Sequence, residues 1–212
     1  MNPTTSAIVG LAVYLLGLAA AFGWQTFVHW RATGSTGYRG ISGRLGSLHW
    51  WGGILFVIAL ILGAAAPVLT LTGTTIPGTP PSRGVLSAIG LVIAVAGIGF
   101  TLAAQRQMGT SWRIGVDAGE RTSLVTDGLF AYVRNPIFTG MLTVTVGLFG
   151  MVPTVVTALA LLCLFAAVQI QVRAVEEPYL VATHGPDYLH YASHAGRVLP
   201  RLGRLQPQPT RH

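Results

Sequence analysis

The sequence predicts an all-α, polytopic membrane protein with five transmembrane helices and a small C-terminal lobe on the cytoplasmic side. Three observations lead there. Half of the 212 residues are hydrophobic and only 9% are charged, a balance that soluble domains do not show. The charges are gathered between long uncharged stretches rather than spread along the chain. The 13 basic residues, all arginine, fall at the ends of those stretches, whereas the six acids occur only from Asp117 onward.

The first apolar stretch runs from Ser6 to Trp30. Met1 to Ser6 carries no basic residue, and the run is too long for a signal-peptide core, so it reads as a retained span. The second, Ser47 to Leu71, and the third, Val85 to Gln105, are each close to the ~20 residues that cross a bilayer. Gly52, Gly53 and Gly63 in the second, and Gly90, Ala94 and Gly97 in the third, permit close helix contacts. From Arg106 to Pro136 the chain is too polar for the membrane and too short for a domain, so it must fold against the spans. Trp112 and Arg113 are expected at the interface, and Thr126-Asp127-Gly128 marks a turn.

Ile137 to Val172 is uncharged throughout. Gly150-Met151-Val152-Pro153 divides it into two runs, which predicts a helical hairpin returning to its starting face. The first limb, Ile137 to Gly150, is short and is expected to be tilted or recessed. His184-Gly185-Pro186-Asp187 then breaks the returning helix, and Arg197-Val198-Leu199-Pro200 forms a turn. Gln206 to His212 reads as a disordered tail. The chain divides into a three-helix part, 1–105, and a part that carries the chemistry, 106–212.

Twelve arginines fall on one side of this layout and only Arg83 on the other. The positive-inside bias then places the N-terminus outside and the C-terminus in the cytoplasm. A net charge of +7 does not indicate nucleic acid, because the arginines sit at helix ends and are not clustered with aromatics. Membrane lipids are the expected surroundings, and the sequence names no protein partner. Cys163 reads as a small hydrophobe inside an apolar run. His190 and His194 share a helix face without a third ligand, so no metal is expected.

The hairpin brings two charged clusters to one face: Arg134-Asn135-Pro136 before it and Arg173-Ala174-Val175-Glu176-Glu177 after it. Charges at a membrane boundary must pair or bind something, which makes this cluster the candidate site. Plainer readings exist for each part. Asn135-Pro136 is a helix cap followed by proline at the first helical position. Arg173 and Glu177, four apart, make a surface ion pair worth a few tenths of a kcal/mol. Glu176 and Glu177 stand about 100° apart on a regular helix, so only one is expected to face a pocket.

Gly128-Leu-Phe-Ala-Tyr-Val-Arg134-Asn-Pro-Ile-Phe138, the hairpin, Arg173-x-x-Glu176-Glu177-x-x-Leu180, His184-Gly-x-x-Tyr188-x-x-Tyr191 and Arg197-x-Leu-Pro200 together resemble the isoprenylcysteine carboxyl methyltransferase and phospholipid methyltransferase superfamily. The resemblance covers about half the chain. It implies an integral membrane enzyme, of a bacterial inner membrane, that moves a methyl group from S-adenosylmethionine to a lipophilic acceptor. It further implies a cofactor pocket lined by Thr122, Ser123, Leu124, Val125, Phe130, Asn135, Pro136, Ile137, Phe138, Glu177, Tyr188 and Tyr191. Catalytic roles fall to Arg134, Glu177 and Arg173, the last holding the acceptor. Arg173 suits an isoprenylcysteine-like or other lipid carboxylate, since a guanidinium grips both oxygens, while a lipid amine and a small thiol stay open as acceptors. This chain departs from the superfamily pattern at Asn135 (commonly His), Phe138 (Tyr) and His184 (Phe). Two other readings stay open: an NADPH-dependent membrane reductase of the sterol type, which shares a similar C-terminal architecture, and a non-enzymatic membrane scaffold.

Overall fold

The computed structural model describes residues 1–36, 40–41, 43–74, 84–109 and 123–205. The expectations for Trp112, Arg113, Thr122 and the tail from Gln206 lie outside the described residues. What is described is helical, with one isolated backbone bridge between Val133 and Gly196.

Among the described residues four helices are long and apolar enough to cross a membrane: α1 (Pro3–Thr33), α2 (Leu48–Leu71), α3 (Gly84–Met108) and α5 (Val155–His184). The fifth apolar helix, α4 (Pro136–Met151), has 16 residues. At 1.5 Å per residue it covers about 24 Å, short of the ~30 Å hydrocarbon core. Four candidate spans are thus shown among the described residues, and α4 is a shorter apolar partner in the hairpin, its 16 residues matching the short first limb expected. α6 (Pro186–His194) is a separate short helix that follows the Gly185 break.

Local chemistry sets the helix ends. Ser47 Oγ accepts the Trp50 N–H at the start of α2, and Thr154 Oγ1 accepts the Thr157 N–H at the start of α5, each meeting a donor the first turn cannot satisfy. Pro136 occupies the first position of α4, as expected. α1 and α5 are not regular throughout. Each contains a wide π turn, at Ala19–Trp24 in α1 and Gln171–Glu176 in α5. Such a turn inserts a residue and changes which side chains share a face.

α3 lies along α4, and α2 along α5. The α3–α4 contact is made by small residues. A Cβ on Gly147 would run into the Ala94 nitrogen and the Gly90 carbonyl, so the two backbones touch because Gly147 carries no side chain and α3 presents only Gly90 and Ala94 there. At this end of the bundle Ala7, Met151 and Val152 pack together. The hairpin turn therefore sits beside the chain's N-terminus, while Arg134 and Glu177 meet at the opposite end, as the hairpin requires.

Candidate functional site

The segment leading into α4 is built to deliver Arg134. Gly128 has a positive φ of 58° and opens a single turn of 3-10 helix, Gly128–Ala131. Gln107, near the end of α3, accepts the Leu129 N–H through its side-chain oxygen at 2.8 Å and anchors this turn to the bundle. Beyond it the backbone pairs with the C-terminal segment: Gly196 donates to the Tyr132 carbonyl at 3.0 Å, and Arg134 donates to the Gly196 carbonyl at 2.8 Å. Only glycine fits at 196, because a Cβ would run into the Leu199 carbonyl.

Arg134 is buried, and its guanidinium is heavily used. Nη1 donates to the carbonyls of Ala192 at 3.0 Å and Ala195 at 2.6 Å; Nη2 donates to Glu177 Oε1 at 2.6 Å and the Gly203 carbonyl at 3.0 Å. Arg197 grips the same carboxylate from the other side, Nε to Oε1 at 2.7 Å and Nη2 to Oε2 at 2.9 Å. Glu177 is thus shared by two guanidiniums, a geometry in which buried charges offset their desolvation. That contact also holds the Arg197 charge above its ordinary range. Asn135 does not cap α4 with its side chain; its Nδ2 donates instead to the Arg197 carbonyl at 2.8 Å. Thr139 donates to the Val198 carbonyl at 2.5 Å. Three successive features of the α4 start therefore clasp the C-terminal segment onto the bundle.

This clasp forms one wall of a cavity of about 310 Å³, within the range of small-molecule sites. Of the residues expected at the cofactor pocket, Ser123, Leu124, Val125, Phe130, Asn135, Pro136, Ile137, Phe138, Glu177, Tyr188 and Tyr191 all line it, together with Arg134. Tyr191 donates its hydroxyl to the Phe130 carbonyl at 2.7 Å and lies at 65° to the Tyr188 ring. Burial pushes the Tyr188 hydroxyl up to about 12 and that of Tyr191 further, so both stay neutral as donors. Arg134 Nε is buried with no acceptor among the described residues.

Two expectations fail. Arg173 is exposed and does not line the cavity, nor does it pair with Glu177. The wide turn Gln171–Glu176 is the reason: the Glu177 N–H bonds Val172, five residues back, so residue i+5 rather than i+4 stacks over residue i. For the same reason Glu176 and Glu177 both line the cavity, where a regular helix would have presented only one.

Sequence reasoning missed the part that the first three helices contribute: Ala21, Phe22, His49, Phe56, Thr101 and Gln105 line the cavity too, as do Met141, Gln171, Tyr179 and Leu180. The walls come from both sides of the 105/106 boundary. Gln105 carried a signal, being a polar side chain in an apolar span. Arg197 carried another, since a buried glutamate needs cationic partners.

Residues 85–187 match the model of the phospholipid methyltransferase family. The chain is similar to that family over slightly less than half of its length. No match was found among curated proteins. The matched segment begins in α3 and ends at the start of α6, so it contains the α3–α4 contact, the hairpin and most of the cavity's ionic wall. The long apolar helices among the described residues, together with this similarity to a methyltransferase family, fit an integral membrane protein.

Proposed function

We propose that the protein transfers a methyl group from S-adenosylmethionine to a lipophilic acceptor in the cavity between the hairpin and the first three helices. The observation that carries this reading is the joining, in one cavity, of the family-matched ionic wall to an apolar end. The cofactor supplies an activated methyl group bearing its own leaving group. The chain's work is then alignment and exclusion of water. Phe130, Tyr188 and Tyr191 offer ring faces suited to a sulfonium or an adenine. The orphaned Arg134 Nε–H fits an anionic or acceptor group, such as the carboxylate of the cofactor's amino-acid portion. Ser123, Leu124 and Val125 close the same wall. The N-terminus lies outside and the clasp faces the cytoplasm, following the arginine asymmetry.

The isoprenylcysteine-like carboxylate expected for the acceptor rested on Arg173, which is off the cavity. Among the described wall residues Arg134 is the one guanidinium, and both of its terminal nitrogens are engaged. The reading is tested by titrating the purified protein with S-adenosylhomocysteine and NADPH in parallel. Saturable binding of S-adenosylhomocysteine, without competition by NADPH, is expected. Saturable NADPH binding with none of S-adenosylhomocysteine would favour the reductase, and binding of neither would favour the scaffold.

A further inference from the structure

The wall that α3 gives to the cavity holds an unmet hydrogen-bond requirement. Gln105 lines the cavity and is 2% exposed. Its amide has one orientation, because the Ala21 carbonyl accepts only and so takes Nε2, at 2.9 Å. That carbonyl is available because of the wide turn in α1. The Gln25 N–H, which in a regular helix bonds Ala21, bonds Ala20 and Phe22 instead. Gln105 Oε1 is thereby fixed as an acceptor, and it is buried with no donor among the described residues. A buried acceptor left in that state loses its hydration without compensation, so its place in the wall calls for a donor on whatever fills the cavity.

The surroundings say which ligand that is. Ala21, Phe22, Thr101 and Met141 line both this cavity and a narrower apolar pocket that continues to Tyr14 and Leu164. Thr101, one turn before Gln105, supplies no donor, since its hydroxyl is bonded to the Gly97 carbonyl at 2.9 Å. The amide therefore stands where the ionic cavity gives way to an apolar cleft inside the bundle.

We propose that Gln105 Oε1 selects the methyl acceptor by its head group, pairing with an N–H or O–H donor while the acceptor's apolar chain enters the cleft past Thr101 and Met141. The proposal rests on the methyltransferase reading. An alcohol or an amine satisfies the amide. A deprotonated carboxylate offers only acceptors, sets oxygen against oxygen, and is rejected.

The test uses the full chain in lipid nanodiscs, with retention measured above empty discs for radiolabelled dodecanol, dodecyl methyl ether, dodecylamine and dodecanoate. The alcohol and its ether differ only by the donor. Wild type is expected to hold dodecanol roughly tenfold more tightly than the ether, to hold dodecylamine comparably to dodecanol, and to hold dodecanoate no better than the ether. Gln105→Met should abolish these differences while S-adenosylhomocysteine affinity stays within about twofold. Gln105→Glu, protonated in this apolar wall, can donate to Ala21 and keep an acceptor, so it should retain the preference for the alcohol. Equal retention of alcohol and ether by wild type overturns the proposal even if neither variant folds. So does a preference that survives in Gln105→Met. If head-group selection holds but S-adenosylhomocysteine does not bind, the methyltransferase reading fails and the assignment of Gln105 as a donor-selecting group stands.

Discussion

Two cavity-lining charges, Arg134 and Glu177, are satisfied by each other and by Arg197 outside the lining, whereas a single neutral amide in the same wall, Gln105, makes one hydrogen bond and leaves a second unmade. The contrast separates what holds the site together from what is left to recognise a ligand. Among the buried side-chain polar atoms of the ionic cluster, the Arg134 Nε–H alone is without a protein partner among the described residues. Everything else there is spent in joining the C-terminal segment to the start of α4. Charges that look catalytic in a sequence are here largely structural, and the neutral amide is the more informative group for acceptor specificity.

The largest expected effect comes from the ionic cluster. Glu177→Gln removes the charge that two guanidiniums share, leaving both uncompensated in a buried setting, and should destabilise the protein by about 3 kcal/mol. Thermal unfolding in detergent reads this directly, and S-adenosylhomocysteine affinity should fall with it. Glu176→Gln, at a residue that lines the cavity and accepts a hydrogen bond from Gln171 at 3.1 Å, should cost less on both readouts. A reversal of that order would show that the clasp does not govern the site. Next comes Arg197→Met, which keeps much of the side-chain length and loses the grip on Glu177. Because Arg197 is partly exposed, where Arg134 is buried, the loss should be about 1–2 kcal/mol. Limited proteolysis should then cut first in the segment 195–205. If the segment stays as resistant as in wild type, the clasp is held by its backbone bonds alone. The smallest effect belongs to Arg173→Ala. Exposed and off the cavity, Arg173 should be dispensable for S-adenosylhomocysteine affinity and for the rate of methyl transfer at saturating cofactor. A large loss of rate with affinity intact would return the acceptor role to Arg173.

The ends of the bundle were legible from charge, and its interior phase was not. The uncharged run from Ile137 to Val172, with Gly150 to Pro153 in its middle, is enough to bring Arg134 and Glu177 to one face. Pro136 marks the start of α4 because it needs no N–H partner there. The length of α4 is readable as well: the short limb expected from Ile137 to Gly150 is a helix of 16 residues. The wide turns in α1 and α5 leave no mark in an apolar pattern, since a run of Ala, Val and Leu looks alike at either pitch. Extrapolating a regular helix from Val155 therefore put Arg173 over Glu177 and sent Glu176 away from the cavity. Gln105 was treated as the boundary of a span when it faces the site. Its bond to Ala21 joins residues 84 positions apart, and only the folded bundle reveals it.

The central claim, that this cavity is where the cofactor sits, is tested most directly by hydrogen–deuterium exchange with and without S-adenosylhomocysteine. The account predicts added protection in peptides covering 123–138 and 177–194, where Phe130, Arg134, Tyr188 and Tyr191 surround the cavity. Little change is predicted at the hairpin turn around Val152, which lies at the other end of the bundle. Protection confined to the turn end, or saturable binding with no change across 123–138, would contradict it.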